Sequence, residues 1–167
     1  MTRHGFSRRV VLKVMVAAGL AWRADLSFSA PFTLLVPTSL QDELAQALKA
    51  SHPLVLMVSL DGCPFCKIAR ENYLAPLVRE QGLRVVQINM QHKDAVKDVL
   101  GVNRTQEQLI AELGVTVAPT LIFYGPAGRE IAERLVGIGS EDFYGAYLDQ
   151  RVATARSVVR AVVHRTR

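Results

Sequence analysis

Both cysteines of this chain lie in one short stretch, LDGCPFCKIA (residues 60–69), directly after a continuous apolar run, PLVLMVSL (residues 53–60). A run of this length and composition is typical of a central strand that is covered on both faces of a sheet. Cys63 then stands where a helix begins, with Pro64 at the first helical position, where the missing N–H of proline costs nothing. The sequence therefore predicts a buried strand, a short loop and a helix that opens with the cysteine pair.

Three kinds of site use two cysteines at this spacing: a zinc site, a structural disulfide and a redox-active dithiol. Zinc needs about four ligands, and the histidines that follow the N-terminal segment, His52, His92 and His164, are scattered without ligand spacing. A disulfide across so small a loop removes little entropy from the unfolded chain. The pattern therefore favours a redox dithiol, with no metal and no cofactor.

The two sulfurs are expected to differ in their chemistry. Unpaired N–H groups of the first helical turn point toward the Cys63 sulfur and, with the helix dipole, favour its thiolate. Cys66, one turn along and facing the interior, is expected to stay protonated until it attacks the mixed disulfide that Cys63 forms with a substrate. The pattern thus predicts Cys63 as the nucleophile and Cys66 as the resolving thiol.

The rest of the chain alternates between helix and strand patterns. Helices are predicted after Ser39, after the cysteine motif with a break or kink at Pro76 and an end at Gly82, over residues 105–114, and after Ser140. The apolar spacing of the last helix includes Phe143, Tyr147, Leu148, Val152, Val159 and Val163. Strands are predicted over residues 83–90 and, around a GPAG turn, over residues 120–124 and 129–136, whereas residues 91–104 are polar and receive no assignment. This order predicts an α/β sandwich with a mixed sheet.

The N-terminal segment has the features of an export signal. Residues 1–30 hold five basic residues and one acid, so they carry +4 of the formal net charge of +5. The basic start leads into VMVAAGLAW (residues 14–22), which is too short to cross a bilayer, and SRRVVLK (residues 7–13) resembles the twin-arginine motif. We therefore predict a twin-arginine-type signal peptide over residues 1–29, cleaved after Ser29, and a periplasmic location, where disulfides persist.

The charge that remains after residue 30 is small. A net charge of only +1 gives no reason to expect a nucleic acid partner, and we expect no stable membrane insertion of the mature chain. Residues 30–150 are predicted to form the folded domain and residues 151–167 a basic extension of its C-terminal helix. That extension carries no acid and is expected to present a solvated face with Arg151, Arg156, Arg160, Arg165 and Arg167.

Four stretches, taken in order, resemble the thioredoxin superfamily over residues 35–150. They are GCPFCK at the strand-to-helix junction, VAPTLIFY at the start of the hairpin, GPAGRE at its turn, and LVGIGSEDF before the last helix. Within the superfamily the chain is most similar to exported thioredoxins of the sulfur-oxidation cluster type (SoxW-like), which also have a glycine before the first cysteine, a long polar insert and a proline in the helix after the motif. The resemblance implies a thioredoxin-like fold, with a central mixed β-sheet flanked by helices, and thiol–disulfide oxidoreductase activity.

The resemblance also implies a substrate site and partners. Ala118-Pro119 matches the cis proline of the superfamily, which packs against the cysteine pair and leaves the sulfur approachable because proline lacks an N–H. The Ala118 backbone is expected to pair with an extended substrate segment, and Gly62, Pro64 and Phe65 to line the same surface. A monomer is implied that reduces cysteine-containing exported proteins and is itself kept reduced by a membrane electron donor of the disulfide-reductase type.

Two positions depart from the thioredoxin pattern. Met57 stands where a buried carboxylate is common, six residues before the first cysteine, and Gly62 stands where a tryptophan is usual. Met57 is expected in the core, so proton transfer at the resolving thiol would need water or a charged group such as Asp61 or Lys67. His92 is expected to be exposed and to have no role.

Several activities stay open at this point. The Pro-Phe pair between the cysteines is glutaredoxin-like, although the Gly-Gly-Asp signature of glutaredoxins does not follow the hairpin. A thiol oxidase or isomerase is a further possibility, because the direction of electron transfer depends on a reduction potential that two intervening residues do not reveal. A non-catalytic docking module with the same fold is the alternative outside the enzymes.

Overall fold

The computed structural model describes residues 31–165, so the signal peptide predicted over residues 1–29 lies outside the described residues. No helix in the described part of the chain is both long enough and apolar enough to span a membrane. In chain order the elements are α1 (Leu40–Lys49), β1 (Leu54–Ser59), α2 (Pro64–Ile68), a π-helical turn (Ala69–Leu74), α3 (Ala75–Gln81), β2 (Arg84–Asn89), β3 (Ala95–Lys97), β4 (Asn103–Thr105), α4 (Gln106–Glu112), β5 (Thr120–Tyr124), a 3₁₀ turn (Pro126–Gly128), β6 (Glu130–Val136) and α5 (Glu141–Arg165).

Four strands form the central sheet in the order β2-β1-β5-β6. β1 pairs in parallel with β2, whereas the β1–β5 and β5–β6 pairs are antiparallel, so the sheet is mixed as predicted. Every residue of β1 and of β5 is buried. This burial confirms that the apolar run before the cysteine motif is a central strand, because only a strand covered on both faces can be apolar throughout.

Helices cover the sheet on both faces. Alternate residues of β1 point to opposite sides, and Val55 and Met57 join the cluster that also holds Cys66, Leu121 and Leu148. The other face packs against α1 and α4 through a second cluster, whose members include Leu54, Leu56, Val58, Leu40, Leu44 and Ile110. The predicted α/β fold with helices flanking a mixed sheet is therefore confirmed.

Side-chain caps begin two helices where the sequence predicts them. The Ser39 hydroxyl accepts a hydrogen bond of 3.2 Å from the Asp42 N–H at the start of α1. At α4 the Gln108 N–H donates to the Thr105 hydroxyl at 3.2 Å, and the Thr105 N–H donates back to the Gln108 side chain at 3.0 Å. These bonds satisfy N–H groups that have no partner within the helix.

Residues 91–104, which received no assignment from the sequence, contain a small antiparallel hairpin of β3 and β4. A carboxylate oxygen of Asp98 accepts hydrogen bonds from the Leu100 and Val102 N–H groups, at 2.8 and 2.9 Å, and so holds the turn between the strands. Each strand has three residues, mostly exposed or half-exposed. Strands this short and polar lack the apolar alternation on which a prediction depends.

The helical segment after the cysteines changes its winding instead of ending at the proline. A π-helical turn over Ala69–Leu74 precedes α3, and Pro76 falls in the first turn of α3, where its missing N–H is tolerated. The segment ends at Gly82, whose left-handed backbone (φ 61°) favours glycine. The predicted interruption and end are confirmed, and the interruption takes the form of a π turn.

The last helix buries a different stripe from the one predicted. Phe143 and Tyr147 are 60% and 52% exposed, so their assignment to the core is wrong. The buried residues are Tyr144, Leu148, Val152, Ala155 and Val159. Leu148, Val152 and Val159 were predicted correctly. The two aromatic residues lie one position before buried residues of the stripe, and hydrophobicity alone cannot separate neighbouring rows of a helix.

The basic extension of α5 is partly engaged with the fold. Arg151 forms an ion pair with Glu133 of β6, and the Arg156 guanidinium donates a hydrogen bond of 2.8 Å to the Gln81 side chain. Arg160 and Arg165 are exposed. The expectation of a solvated basic face thus holds for Arg160 and Arg165 and not for Arg151 and Arg156, whereas Arg167 lies outside the described residues.

Candidate active site

Cys63 occupies the N-cap of α2, as the sequence predicts. Its backbone is extended (φ −75°, ψ 112°), Pro64 follows at the start of the helix, and the Cys66 N–H donates a hydrogen bond of 3.1 Å to the Cys63 sulfur. The Cys63 side chain is half-buried and packs against the edge of the core that holds Cys66. An N–H donor and the positive end of a helix dipole therefore face the more exposed sulfur, an arrangement that favours negative charge on it.

Cys66 has the opposite environment. Its side chain is fully buried, with 0% exposure. Burial, and after it the hydrogen bond with the Cys63 side chain, raises the pKa of the Cys66 thiol to about 11. Hydrogen bonds from the Leu60 backbone and the Ser59 side chain act against this shift. Both cysteines are free thiols in the structure, and the inner one is held in its protonated form.

The loop before β5 completes the wall around the outer sulfur. The Ala118-Pro119 peptide bond is cis, as the resemblance implies, and the Cys63 sulfur lies 3.9 Å from the Ala118 carbonyl oxygen. The loop is fixed by a 2.7 Å hydrogen bond from the Gly137 N–H to the Pro119 carbonyl and another of 2.7 Å from the Thr120 hydroxyl to the Val117 carbonyl. Within residues 31–165 the Ala118 N–H donates to no acceptor, so it is open to an extended segment.

The residues predicted to bind substrate surround Cys63 on this side. Phe65 is 50% exposed and Val117, which was not predicted, is 44% exposed, so both present apolar surface beside the sulfur-bearing helix and loop. Gly62 and Pro64 are exposed as well. Gly62 has a φ of 71°, which favours glycine, and a side chain at this position would meet nothing within 4 Å.

Met57 is buried, whereas the charged candidates for proton transfer are exposed. Met57 is fully buried in the core under Cys66, as predicted. The Asp61 side chain is 73% exposed, and Lys67 is also exposed. In the described part of the chain no carboxylate takes the buried position that Met57 fills, and the polar group that contacts the Cys66 thiol is the Ser59 hydroxyl.

Three polar residues near the site were missed or misjudged from the sequence. Asn89 donates a hydrogen bond of 2.6 Å to one oxygen of Asp61, and the ring of His92 lies 3.0 Å from the other. The His92 side chain is 42% exposed, and its ring lies between Asp61 and Asp94, contacts that the sequence did not indicate. Ser59 and Asn89 are register partners at the carboxyl ends of parallel strands, and that shared edge is the signal that could have identified them.

The described residues contain no group of three or more histidine, cysteine or acidic side chains that could hold a metal ion. The site is built around the cysteine pair, with the Cys63 sulfur half-buried and the Cys66 thiol fully buried. The fold and the geometry of the pair define a class: an α/β protein with a dithiol at a helix start opposite a cis proline, consistent with thiol–disulfide oxidoreductases.

Comparison with known proteins identifies the family. The model of the Thioredoxin_2 family, the thioredoxin-like domain, matches residues 40–151, and the chain belongs to this family. No curated protein matches the chain significantly.

Solved structures of the thioredoxin type are among those to which the chain is similar. A thioredoxin-like protein (Trxlp) of Edwardsiella tarda is 27% identical, over 71% of this chain and 98% of that chain, with a TM-score of 0.47. Thioredoxin NaTrxh of Nicotiana alata is 19% identical, over 75% of this chain and 98% of that one, with a TM-score of 0.49. Thioredoxin O2 of Arabidopsis thaliana is 18% identical, over 71% and 93% of the two chains, with a TM-score of 0.47.

Proposed function

We propose that this protein is an exported thiol–disulfide oxidoreductase that reduces disulfides of other exported proteins in the periplasm. The observation that carries the proposal is the contrast between its two sulfurs. Cys63 is accessible and receives an N–H hydrogen bond of 3.1 Å, whereas Cys66 is fully buried with its pKa raised to about 11. A nucleophilic thiolate beside a protected second thiol is what a two-step exchange requires.

In the first step the Cys63 thiolate attacks one sulfur of a substrate disulfide. A mixed disulfide forms between Cys63 and the substrate, and the other substrate sulfur leaves as a thiolate. The Cys66 N–H that faced the anionic sulfur then lies beside a neutral one. The mixed disulfide needs only a second thiolate in order to be resolved. The rate of the next step therefore depends on how readily Cys66 loses its proton.

In the second step Cys66 gives up its proton and attacks the Cys63 sulfur. The Ser59 hydroxyl and the Leu60 backbone assist because their hydrogen bonds favour the thiolate of Cys66. A Cys63–Cys66 disulfide forms, the substrate leaves with both of its sulfurs reduced, and two electrons have passed to it.

The substrate segment runs along the cis-proline loop. The free Ala118 N–H and its carbonyl offer strand-like hydrogen bonds to an extended chain, and Pro119 presents no N–H that would need a partner. Phe65 and Pro64 supply exposed apolar contacts next to the cysteine, with Gly62 leaving room on the approach.

A reductase in an oxidising compartment needs a source of electrons. We propose a membrane protein of the disulfide-reductase type as the donor, a signal peptide over residues 1–29 as the export route, and the monomer as the working unit. The SRRVVLK stretch supports the export route, and the SoxW-like resemblance of the cysteine motif supports the donor.

The direct test is to trap the intermediate. A Cys66→Ser variant, expressed with its own N-terminal segment, should accumulate mixed disulfides with periplasmic proteins that are released by dithiothreitol, and mass spectrometry should place the bond at Cys63. The matched control is Cys63→Ser, which should trap nothing. Trapping by neither variant, together with no reduction of insulin by the wild-type protein, would overturn the proposal in favour of a docking role.

A further inference from the structure

A cleft of about 610 Å³ opens beside Cys63. We call it the Cys63 cleft; its lining includes Asp61, Gly62, Cys63, Lys67, Arg70 and Glu71. Its volume lies within the range of roughly 300–1,000 Å³ that is common for sites of small molecules. Phe65, Ala118 and Pro119 do not line it, whereas Gly62 and Pro64 border both the cleft and the proposed substrate surface.

The cleft carries charges of both signs, and three of its four charged side chains have no ion-pair partner among the described residues. Lys67 and Arg70 bring positive charge, and Asp61 and Glu71 bring negative charge. Asp61 is held by Asn89 and His92. Lys67, Arg70 and Glu71 take part in no ion pair within residues 31–165.

Two side chains that line the cleft, Arg70 and Gln87, each carry a buried polar atom without a hydrogen-bond partner among the described residues. The atoms are the Nε of Arg70, a donor, and the Oε1 of Gln87, an acceptor. Buried polar groups of native proteins are nearly always paired, so polar pairing is incomplete beside the cleft.

Small side chains on the floor make the recess possible. Ser59 ends β1 and Gly62 directly precedes the cysteine, and a Cβ at Gly62 would meet no atom within 4 Å. The room lies directly beside the reactive sulfur because Cys63 itself forms part of the wall.

We propose that the Cys63 cleft binds the amino-acid end of a low-molecular-weight disulfide, a molecule that carries both an ammonium and a carboxylate group next to its sulfur. The carboxylate is matched by Lys67 and Arg70, and the ammonium by Glu71 and Asp61. The inference rests on the proposed function and adds small zwitterionic disulfides of the cystine type to its protein substrates.

The reaction uses the same two steps. The Cys63 thiolate attacks one sulfur of the disulfide RSSR, forms Cys63–S–S–R and releases RS⁻, which takes up a proton. The Cys66 thiolate then attacks the Cys63 sulfur and releases the second RS⁻, so the dithiol is oxidised by two electrons and RSSR is reduced to two RSH. Pre-reduced protein supplies both electrons for one turnover.

The test compares three small disulfides and insulin in single turnover. Pre-reduced protein is mixed with excess cystine (both charges), 3,3′-dithiodipropionate (carboxylates only), cystamine (ammonium groups only) or insulin, quenched with an alkylating agent, and scored for dithiol loss by mass spectrometry. In a Lys67→Gln/Arg70→Gln variant the rates with cystine and dithiodipropionate should fall about tenfold relative to the rate with cystamine. In Glu71→Gln the rate with cystamine should fall relative to the rate with dithiodipropionate.

A matched control separates local recognition from overall charge. Lys49→Gln/Arg129→Gln removes two exposed cations outside the cleft and should leave the ratio of the cystine and cystamine rates unchanged. If the ratio is equally unchanged in the Lys67→Gln/Arg70→Gln variant while insulin still oxidises the dithiol, the cleft proposal is wrong and the proposed function stands. If neither insulin nor any small disulfide oxidises wild-type protein, the proposed function fails and the cleft proposal fails with it.

Discussion

The two ends of β1 each carry a cleft, and the clefts offer different chemistry. At the amino end a cleft of about 520 Å³ is lined by basic groups, including Lys49, His52 and Arg84. At the carboxyl end lies the Cys63 cleft, of about 610 Å³. The strand separates them by roughly 17 Å. Volume and charge are present at both ends, but a sulfur at a helix start is present only at the second among the described residues.

The difference follows from the direction of the chain. In a β-α unit the helix begins where the strand ends, so unpaired N–H groups gather at the carboxyl edge of the sheet. The amino edge receives the ends of α1 and α3, at Ala50 and Gly82, both of which border the basic cleft. Helix ends present carbonyl groups, which do not stabilise a thiolate. Chain direction, more than cleft size, therefore decides which end can activate a sulfur.

The largest expected effect tests whether the Cys63 sulfur accounts for the different chemistry of the two ends of β1. Cys63→Ser should lower insulin reduction at least about 1,000-fold, to the uncatalysed level, because a hydroxyl at this position is not ionised. His52→Gln, at the other end of the strand, should retain wild-type activity in the same turbidity assay. Comparable losses in the two variants would show that the ends are not chemically distinct.

A second substitution tests the core that both ends share. Met57→Ala should destabilise the fold by about 2–5 kcal/mol, because it leaves a cavity beneath Cys66 in the fully buried centre of β1. Phe143→Ala, at a 60% exposed position of α5, should change stability by less than about 0.5 kcal/mol. Urea unfolding of both variants measures the contrast, and equal losses would contradict the assignment of Phe143 to the surface.

The order of strands and helices and the cysteine geometry could be predicted from the sequence because local rules determine them. A fully apolar run such as residues 53–60 has few alternatives to a central strand, and a cysteine before a proline is well placed at a helix N-cap. The capping box at Thr105 likewise depends on residues only three apart. In each case the residues that decide the structure are neighbours in the chain.

The parts that could not be predicted depend on residues that are distant in the chain. Asn89 contacts Asp61 only after β1 and β2 have paired in register. Gln87 of β2 and the charged side chains of α2 and the π turn line one cleft for the same reason. The prediction that Phe143 and Tyr147 are buried failed for a different reason. The packing of Tyr144 against Tyr73, with ring centroids 4.8 Å apart, selects which row of α5 is buried.

A smaller effect is expected from the carboxyl end of β1. Ser59→Ala removes a hydrogen bond that lowers the pKa of Cys66, so the pKa of the resolving thiol should rise further and the second step should slow about fivefold. Stopped-flow measurement of mixed-disulfide resolution tests this, and the rate in the wild-type protein should increase as the pH is raised from about 7 toward about 10. Ser157→Ala, on the exposed side of α5, is the matched control. An unchanged rate in Ser59→Ala would assign proton handling to another group.

The smallest effect concerns the amino end, where burial, and then the positive charges of Arg156 and Arg160, lower the pKa of His52. The unfolded chain, with its histidine near the ordinary value of about 6.5, binds protons more readily than the folded protein as the pH falls. Stability should therefore decrease from about pH 7.5 to about pH 5, and His52→Gln should reduce that decrease in urea unfolding. Gln46→Ala, which also lines the basic cleft but removes no titratable group, should give no such reduction. An equal pH dependence of the His52→Gln variant and the wild-type protein would mean that burial and the neighbouring arginines do not disfavour protonation of His52.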